Sequence, residues 1–131
     1  MSEWALTRGF LMYELTVESS FAAAHRLRDY QGKCEALHGH TWRVAVCVEA
    51  RELNSIGIAI DFQELKSVLH QILEPFDHAC LNDIPPFTDE NPSSENIARF
   101  LFFQLRALLQ SAAVQLKKVT VWESETSCAT Y

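Results

Sequence analysis

A chain of 131 residues, 48% hydrophobic and 21% charged, is long enough for one domain with its own core and too short to argue for two. A formal net charge of −6 excludes a general nucleic-acid binder, because phosphate contacts need an excess of Lys and Arg. Four cysteines, at 34, 47, 80 and 128, are spaced too irregularly for a disulfide framework, and reduced thiols point to a cytoplasmic setting. Glu3, Arg8 and Glu14 break any apolar run at the N-terminus, so no secretory signal is expected. The greasiest stretch, 97–109, carries Arg99, Gln104 and Arg106 and is too short to span a bilayer.

In chain order, Tyr13, Leu15 and Val17 alternate with Glu14, Thr16 and Glu18, which predicts a half-exposed strand running on through Phe21 and Ala23 to His25. The polar segment 26–33 should loop. Its Arg26, Arg28 and Lys33 are either a local anion cluster or solvated charges. A second long strand follows from His40, with Trp42, Val44, Val46 and Val48 on one face and Thr41, Arg43, Ala45, Cys47 and Glu49 on the other. After a turn at Asn54, Ser55 and Gly57, Asp61 is a plausible N-cap with Glu64 three residues on. Phe62, Leu65, Leu69, Ile72 and Leu73 then recur at helical spacing, and Pro75 ends the helix. His70, in mid-helix, reads as structural or exposed. A proline-bearing loop, 82–92, precedes a second helix capped by Ser93 or Ser94, with Ile97, Phe100, Leu101, Leu105 and Leu108 on its stripe. Phe102 and Phe103 fall off that stripe and suggest burial on a second side. Two strands, 116–123 and 128–131, close the chain. The order ββααββ implies a single antiparallel α+β domain over residues 1–131, whose sheet edges favour oligomerisation.

The segment Cys34-Glu35-Ala36-Leu37-His38-Gly39-His40 carries the chemistry. Histidines at i and i+2 on an extended segment project from one face, and Gly39 between them leaves room for close approach. With His25 they make the ligand set of an open catalytic zinc site. Cys34 is either a fourth ligand or a base beside the metal, since Lys33 and a cation both favour a thiolate. Asp77-His78 follows the first helix as an acid–imidazole pair suited to proton transfer, or as a helix end decorated with a histidine. Glu123 ends an apolar strand, where a carboxylate can grip a guanidine-like edge through paired hydrogen bonds or simply be solvated.

Together these stretches resemble the 6-pyruvoyltetrahydropterin synthase superfamily along nearly the whole chain. The resemblance is carried by Phe21-Ala22-Ala23-Ala24-His25-Arg26-Leu27, Cys34-x-x-x-His38-Gly39-His40 and Asp61-Phe62-x-x-Leu65-Lys66. It continues through Phe76-Asp77-His78-x-x-Leu81-Asn82, Asn91-Pro92-Ser93-Ser94-Glu95-Asn96 and Val121-Trp122-Glu123. It implies a T-fold, in which the antiparallel sheet carries two helices on one face and subunits close into an oligomeric barrel, trimer-based and often hexameric. By position it makes His25, His38 and His40 ligands of one Zn2+ per subunit and Cys34 the general base. Asp77 and His78 become a proton relay from a neighbouring subunit, and Glu123, with Ser93 and Ser94, the anchor of a pterin ring.

The short Cys-x-x-x-His-Gly-His spacing is similar to the bacterial branch acting in queuosine (7-deazaguanine) biosynthesis. That branch converts 7,8-dihydroneopterin triphosphate to 6-carboxytetrahydropterin, acetaldehyde and triphosphate. Glu35 also satisfies the pattern of a branch that uses Glu-x-x-His-Gly-His for aldol-type cleavage to a 6-hydroxymethyl pterin. The 6-pyruvoyltetrahydropterin synthase reaction, and a non-catalytic pterin- or zinc-binding protein on the same fold, are the other readings. The expected partners are the small pterin triphosphate and further copies of the chain, with neither nucleic acid nor membrane.

Overall fold

The computed structural model describes residues 12–32, 35–110 and 112–131. Lys33 and Cys34, and with the thiol its choice between ligand and base, lie outside the described residues. Strand β1 spans Tyr13–His25 and β2 spans His38–Ala50; helix α1, Phe62–Leu73, follows. A two-residue strand β3, Ala79–Cys80, then precedes helix α2, Ser94–Leu108, and strands β4, Gln115–Ser124, and β5, Ser127–Thr130. These strands form one five-stranded sheet in the order β3-β1-β2-β4-β5. The long strands pair antiparallel, as their alternation predicts. β3 adds to that expectation by lying parallel to β1 through Ala23 and Ala24, which makes the sheet mixed.

Alternation sets the core. Val17, Phe21 and Ala23 of β1, Trp42, Val44, Val46 and Val48 of β2, and Val119 and Val121 of β4 are all buried. They meet Leu65, Leu69 and Leu73 of α1 and Ile97, Ala98, Leu101 and Leu105 of α2 in one hydrophobic cluster. Each buried Val, Leu, Ile or Phe side chain among them contributes about 1.5–3 kcal/mol by leaving water.

Helix α1 starts where Asp61 accepts a hydrogen bond from the Gln63 amide at 2.8 Å, and a 3₁₀ turn, Glu74–Phe76, with Pro75 takes over after Leu73. Helix α2 is capped by Ser93, whose hydroxyl accepts from Asn96 N. Two expected stripe residues are exposed: Phe62, at the first helical position, and Leu108, at the last. Leu109, one step on, takes the buried place at the end of α2. Phe102 and Phe103 pack against Tyr131, with ring centroids at 5.1 and 5.7 Å. No helix among the described residues is long and apolar enough to cross a membrane.

Candidate metal centre

The register of β1 against β2 builds the site. His25 lies opposite His38, and Ala23 opposite His40. All three histidines therefore end the same sheet face that carries Phe21 and Trp42 further along. A slip of one residue would send the imidazoles of β2 to the other face. Glu123 joins them from β4. Glu123 stands two residues beyond Val121, on the same face by alternation, at a β-bulge where Trp122 pairs with Cys128 and Ser124 with Ser127. Trp42, fully buried, forms the floor, its ring edge-on to His25 and His40 at 4.8 and 5.2 Å.

Two backbone carbonyls orient the rings. His25 Nδ1 donates to Pro92 O at 2.8 Å and His38 Nδ1 to Ala36 O at 2.7 Å. With both Nδ1 protons so engaged, each Nε2 is a bare lone pair, and the two lone pairs face one another at 3.1 Å. Nε2 of His40 is buried without a well-formed hydrogen bond, although a Glu123 carboxylate oxygen lies 3.0 Å away. The same oxygen is 3.2 Å from Nε2 of His25. One donor atom from each of His25, His38, His40 and Glu123 lies within 4.8 Å of the others. Two lone pairs facing one another beside a third imidazole and a carboxylate suit a cation, and this donor set fits a borderline divalent ion.

Burial, the strongest influence on both, holds His25 and His40 below the ordinary imidazole value, against the opposing pull of Pro92 O on His25 and of Glu123 on His40. The rings are thus kept neutral, the state a metal ligand needs.

The loop supplying Pro92 O is stitched to the segment after His25 by two asparagines. Asn82 bonds the amide and carbonyl of Arg26 at 2.9 and 3.0 Å, and Asn91 those of Arg28 at 2.8 and 3.1 Å. Asn96 in turn holds Asn91 O at 2.9 Å. This clamp, and the turning of Glu123 onto the histidines, are features that sequence reasoning missed. Asn82 and Asn91 stood in the quoted motifs, yet nothing local marks an amide as a backbone mimic. The Arg28 guanidinium bonds the carbonyls of Glu90 at 3.1 Å and Phe87 at 2.8 Å, so it braces the loop and is neither a solvated charge nor a free anion ligand.

Asp77 and His78 are placed elsewhere. His78 N donates to Ala22 O, and Asp77 accepts from Ala22 N at 2.9 Å, so the pair hangs on the sheet edge at β1. Asp77 Oδ1 and His78 Nδ1 are 3.1 Å apart, and the imidazole is 82% exposed. Hydrogen bonding from Ala22 N, more than the nearby imidazole, holds the Asp77 carboxyl below its ordinary value. His78 adopts a left-handed backbone (φ 59°), a conformation uncommon for a residue with a Cβ. It lines an open groove that also reaches His40, together with Ala22, Ala24, Gly39, Thr41 and Cys80. By alternation Ala22, Ala24, Gly39 and Thr41 lie on the face away from the helices. A Cβ on Gly39 would meet only Ala23 O, at 3.8 Å, so the room expected there serves no contact among the described residues.

Ser93 acts as the helix cap, and Ser94 is the first residue of α2. Glu35 is exposed in the turn before β2, its amide bonded to Gly32 O, and its carboxylate is not part of the metal-competent cluster.

The family model described as 6-pyruvoyl tetrahydropterin synthase matches residues 14–131. A 6-carboxy-5,6,7,8-tetrahydropterin synthase of Synechocystis sp. is 39% identical over 126 residues, covering 92% of this chain and 93% of that protein. A dihydroneopterin monophosphate aldolase of Pyrococcus furiosus is 37% identical over 105 residues, covering 80% and 84%. The structure of Caenorhabditis elegans 6-pyruvoyl tetrahydropterin synthase superposes with a TM-score of 0.83 at 28% identity, over 92% of this chain and 95% of that one.

Proposed function

The chain belongs to the 6-pyruvoyl tetrahydropterin synthase family, and from that premise we propose that it is a zinc-dependent lyase acting on 7,8-dihydroneopterin triphosphate. The products are 6-carboxy-5,6,7,8-tetrahydropterin, acetaldehyde and triphosphate, with a water consumed, as in queuosine biosynthesis. Relatives named for 6-carboxytetrahydropterin synthesis support the 6-carboxy product. The observation that carries the metal chemistry is the meeting of three imidazoles, two of them with Nε2 lone pairs facing one another and the third with its buried Nε2 unpaired.

His25, His38 and His40 would hold the zinc, and a zinc ion there supplies Lewis acidity toward the oxygens of the substrate side chain. Cys34, four residues before His38, acts as the base that takes a side-chain proton. Asp77 orients His78 through the 3.1 Å contact, and His78 moves a second proton between side chain and ring. Glu123 accepts from the amino-pyrimidine edge of the pterin, helped by the hydroxyls of Ser93 and Ser94. His78 is not part of the histidine cluster, and the resemblance implies a relay from a neighbouring subunit, so we build the complete site from two copies of the chain. We assign it to the interface of a trimer-based homo-oligomer, such as a hexamer, in the cytoplasm.

The aldolase of Pyrococcus furiosus favours a second reading, in which Glu35 is the base and a 6-hydroxymethyl pterin is released. The exposed place of Glu35, apart from the histidine cluster, ranks it second. Mass spectrometry of the products formed by zinc-loaded protein from 7,8-dihydroneopterin triphosphate decides. Acetaldehyde with the 6-carboxy product supports the first reading. A 6-hydroxymethyl product transfers the role to Glu35, and a 6-pyruvoyl product or no product refutes both.

A further inference from the structure

Arg28 follows His25 closely in the chain, and the loop that aims His25 is folded around its side chain. Successive turns shape that loop: Phe87 N donates to Ile84 O at 2.8 Å, and Asp89 N and Glu90 N both donate to Pro86 O at 3.2 Å. The carbonyls of Phe87 and Glu90 then accept from different nitrogens of the Arg28 guanidinium, Nη2 at 2.8 Å and Nη1 at 3.1 Å. Asn82 O lies 3.5 Å from Nη2. Converging carbonyl oxygens repel one another unless a cationic donor stands between them.

The two ends of this brace differ. Phe87 is fully buried, its ring 6.1 Å from Phe76 and 5.6 Å from Phe100, so that end of the loop is fixed in the core. Glu90 stands just before Pro92, whose carbonyl accepts from His25 Nδ1 at 2.8 Å. The guanidinium thus ties the functional end of the loop to its anchored end. Asn91 grips only the Arg28 backbone, at 2.8 and 3.1 Å, so a change confined to the Arg28 side chain leaves that clamp in place.

We propose that Arg28 is a positioning residue, whose guanidinium holds the 82–92 loop so that Pro92 O keeps the His25 proton on Nδ1 and the Nε2 lone pair turned toward His38. Its consequence for metal affinity rests on the three-histidine reading above; the tautomer itself does not. A neutral imidazole has two tautomers, and only the one protonated at Nδ1 offers Nε2 as a donor atom. When Pro92 O withdraws, that preference is lost and part of the population protonates Nε2. Lysine cannot replace the fork, because one ammonium is a point charge and cannot hold carbonyls spaced for two nitrogens. Arg28 acts on the site through the loop.

The test uses the full chain, metal-free and isotope-labelled at the histidine nitrogens, at a pH above the imidazole range. Two-bond proton–nitrogen correlation spectra report which ring nitrogen carries the proton, and His25 is identified by the signal lost in H25Q. Wild type should show His25 protonated at Nδ1, and R28M, which keeps an apolar stem, a mixture of tautomers. R28K should fall between them. Chelator competition should follow the same order, with R28M holding Co2+ about tenfold more weakly than wild type. Folded variants that keep both the Nδ1 proton and the wild-type affinity would overturn the proposal, even if they melt earlier, since Arg28 would then be merely structural. A wild-type His25 protonated at Nε2 would overturn it as well. Should R28M fail to fold, R28K decides: a mixed tautomer sustains the proposal and an unchanged one overturns it. Wild type that binds no Co2+, or H38A that binds it fully, would instead sink the three-histidine reading and leave the tautomer comparison to judge Arg28.

Discussion

The end of the sheet at β1, β2 and β4 and the turn after α1 both carry histidine beside a carboxylate, yet they are built on opposite physical terms. At the sheet end, His25 is 1% exposed, its ring is aimed by a backbone carbonyl, and burial keeps it neutral. At the turn, His78 is 82% exposed, sits on a left-handed backbone and touches one carboxylate. The first arrangement is suited to gripping a cation, because rigid neutral donors lose little on binding it. The second is suited to moving protons, because an exposed imidazole can exchange them with solvent or substrate. Under the proposed function, the histidine cluster is the metal-binding half of a site and the turn its proton-handling half. In that proposal the halves that work together come from two copies of the chain.

Breaking either half should leave the other intact. The largest effect is expected from H38A, which removes one of three imidazoles. Zinc affinity measured by chelator competition should fall by more than about 100-fold, beyond the loss usual for a supporting residue. Next, C34A and H78Q should each lower turnover by about 10²–10⁴-fold while zinc stays bound. Zinc lost in C34A would make that thiol a ligand. Mixing H38A with H78Q after dissociation and reassembly sharpens the contrast further. Partial recovery of activity is expected when each inactive copy lends its sound half, and no recovery from verified mixed oligomers would place both halves in one chain.

A smaller effect tests the loop that aims His25. N91A removes two hydrogen bonds to Arg28 and should cost about 1–3 kcal/mol in chemical denaturation, with a weakened hold on zinc. Unchanged stability would show that the clamp is incidental.

The smallest is a pH effect at the turn. The Asp77 carboxyl titrates below its ordinary value of 3.8 in the folded chain, chiefly through Ala22 N–H. Between the two values the unfolded chain binds more protons, so stability rises with pH there. The contribution is complete above the unfolded value and is lost as pH falls through the lower folded one. In D77N the thermal midpoint of metal-free protein should accordingly fall less steeply on acidification than in wild type. Identical slopes would deny Asp77 that contribution.

The parts of this molecule that were legible as sequence share one property: their causes act over a few residues. Alternation placed Val17, Phe21 and Ala23 on one face of β1 and Trp42, Val44, Val46 and Val48 on one face of β2. The Asp61 cap and the halt at Pro75 were visible for the same reason. So was the common face of His38 and His40, since strand residues two apart always share a side. Phe62 and Leu108 escaped the same logic because periodicity carries no information about where the facing sheet ends. The parallel β3 strand escaped it because two residues hold no period.

The site depends on longer connections. His25 meets His38 across thirteen residues because the β1–β2 register pairs them. Pro92 O reaches His25 Nδ1 only because Asn82 and Asn91 pull their loop onto the segment after β1. Glu123 arrives through the register of β2 against β4, in a strand nearly a hundred residues later in the chain than His25. Residue types and local spacing were enough to nominate the ligands. Hydrogen-bond register and two borrowed carbonyls set which nitrogen faces inward and which carboxylate stands beside it, because those are contacts between segments that have no period in common.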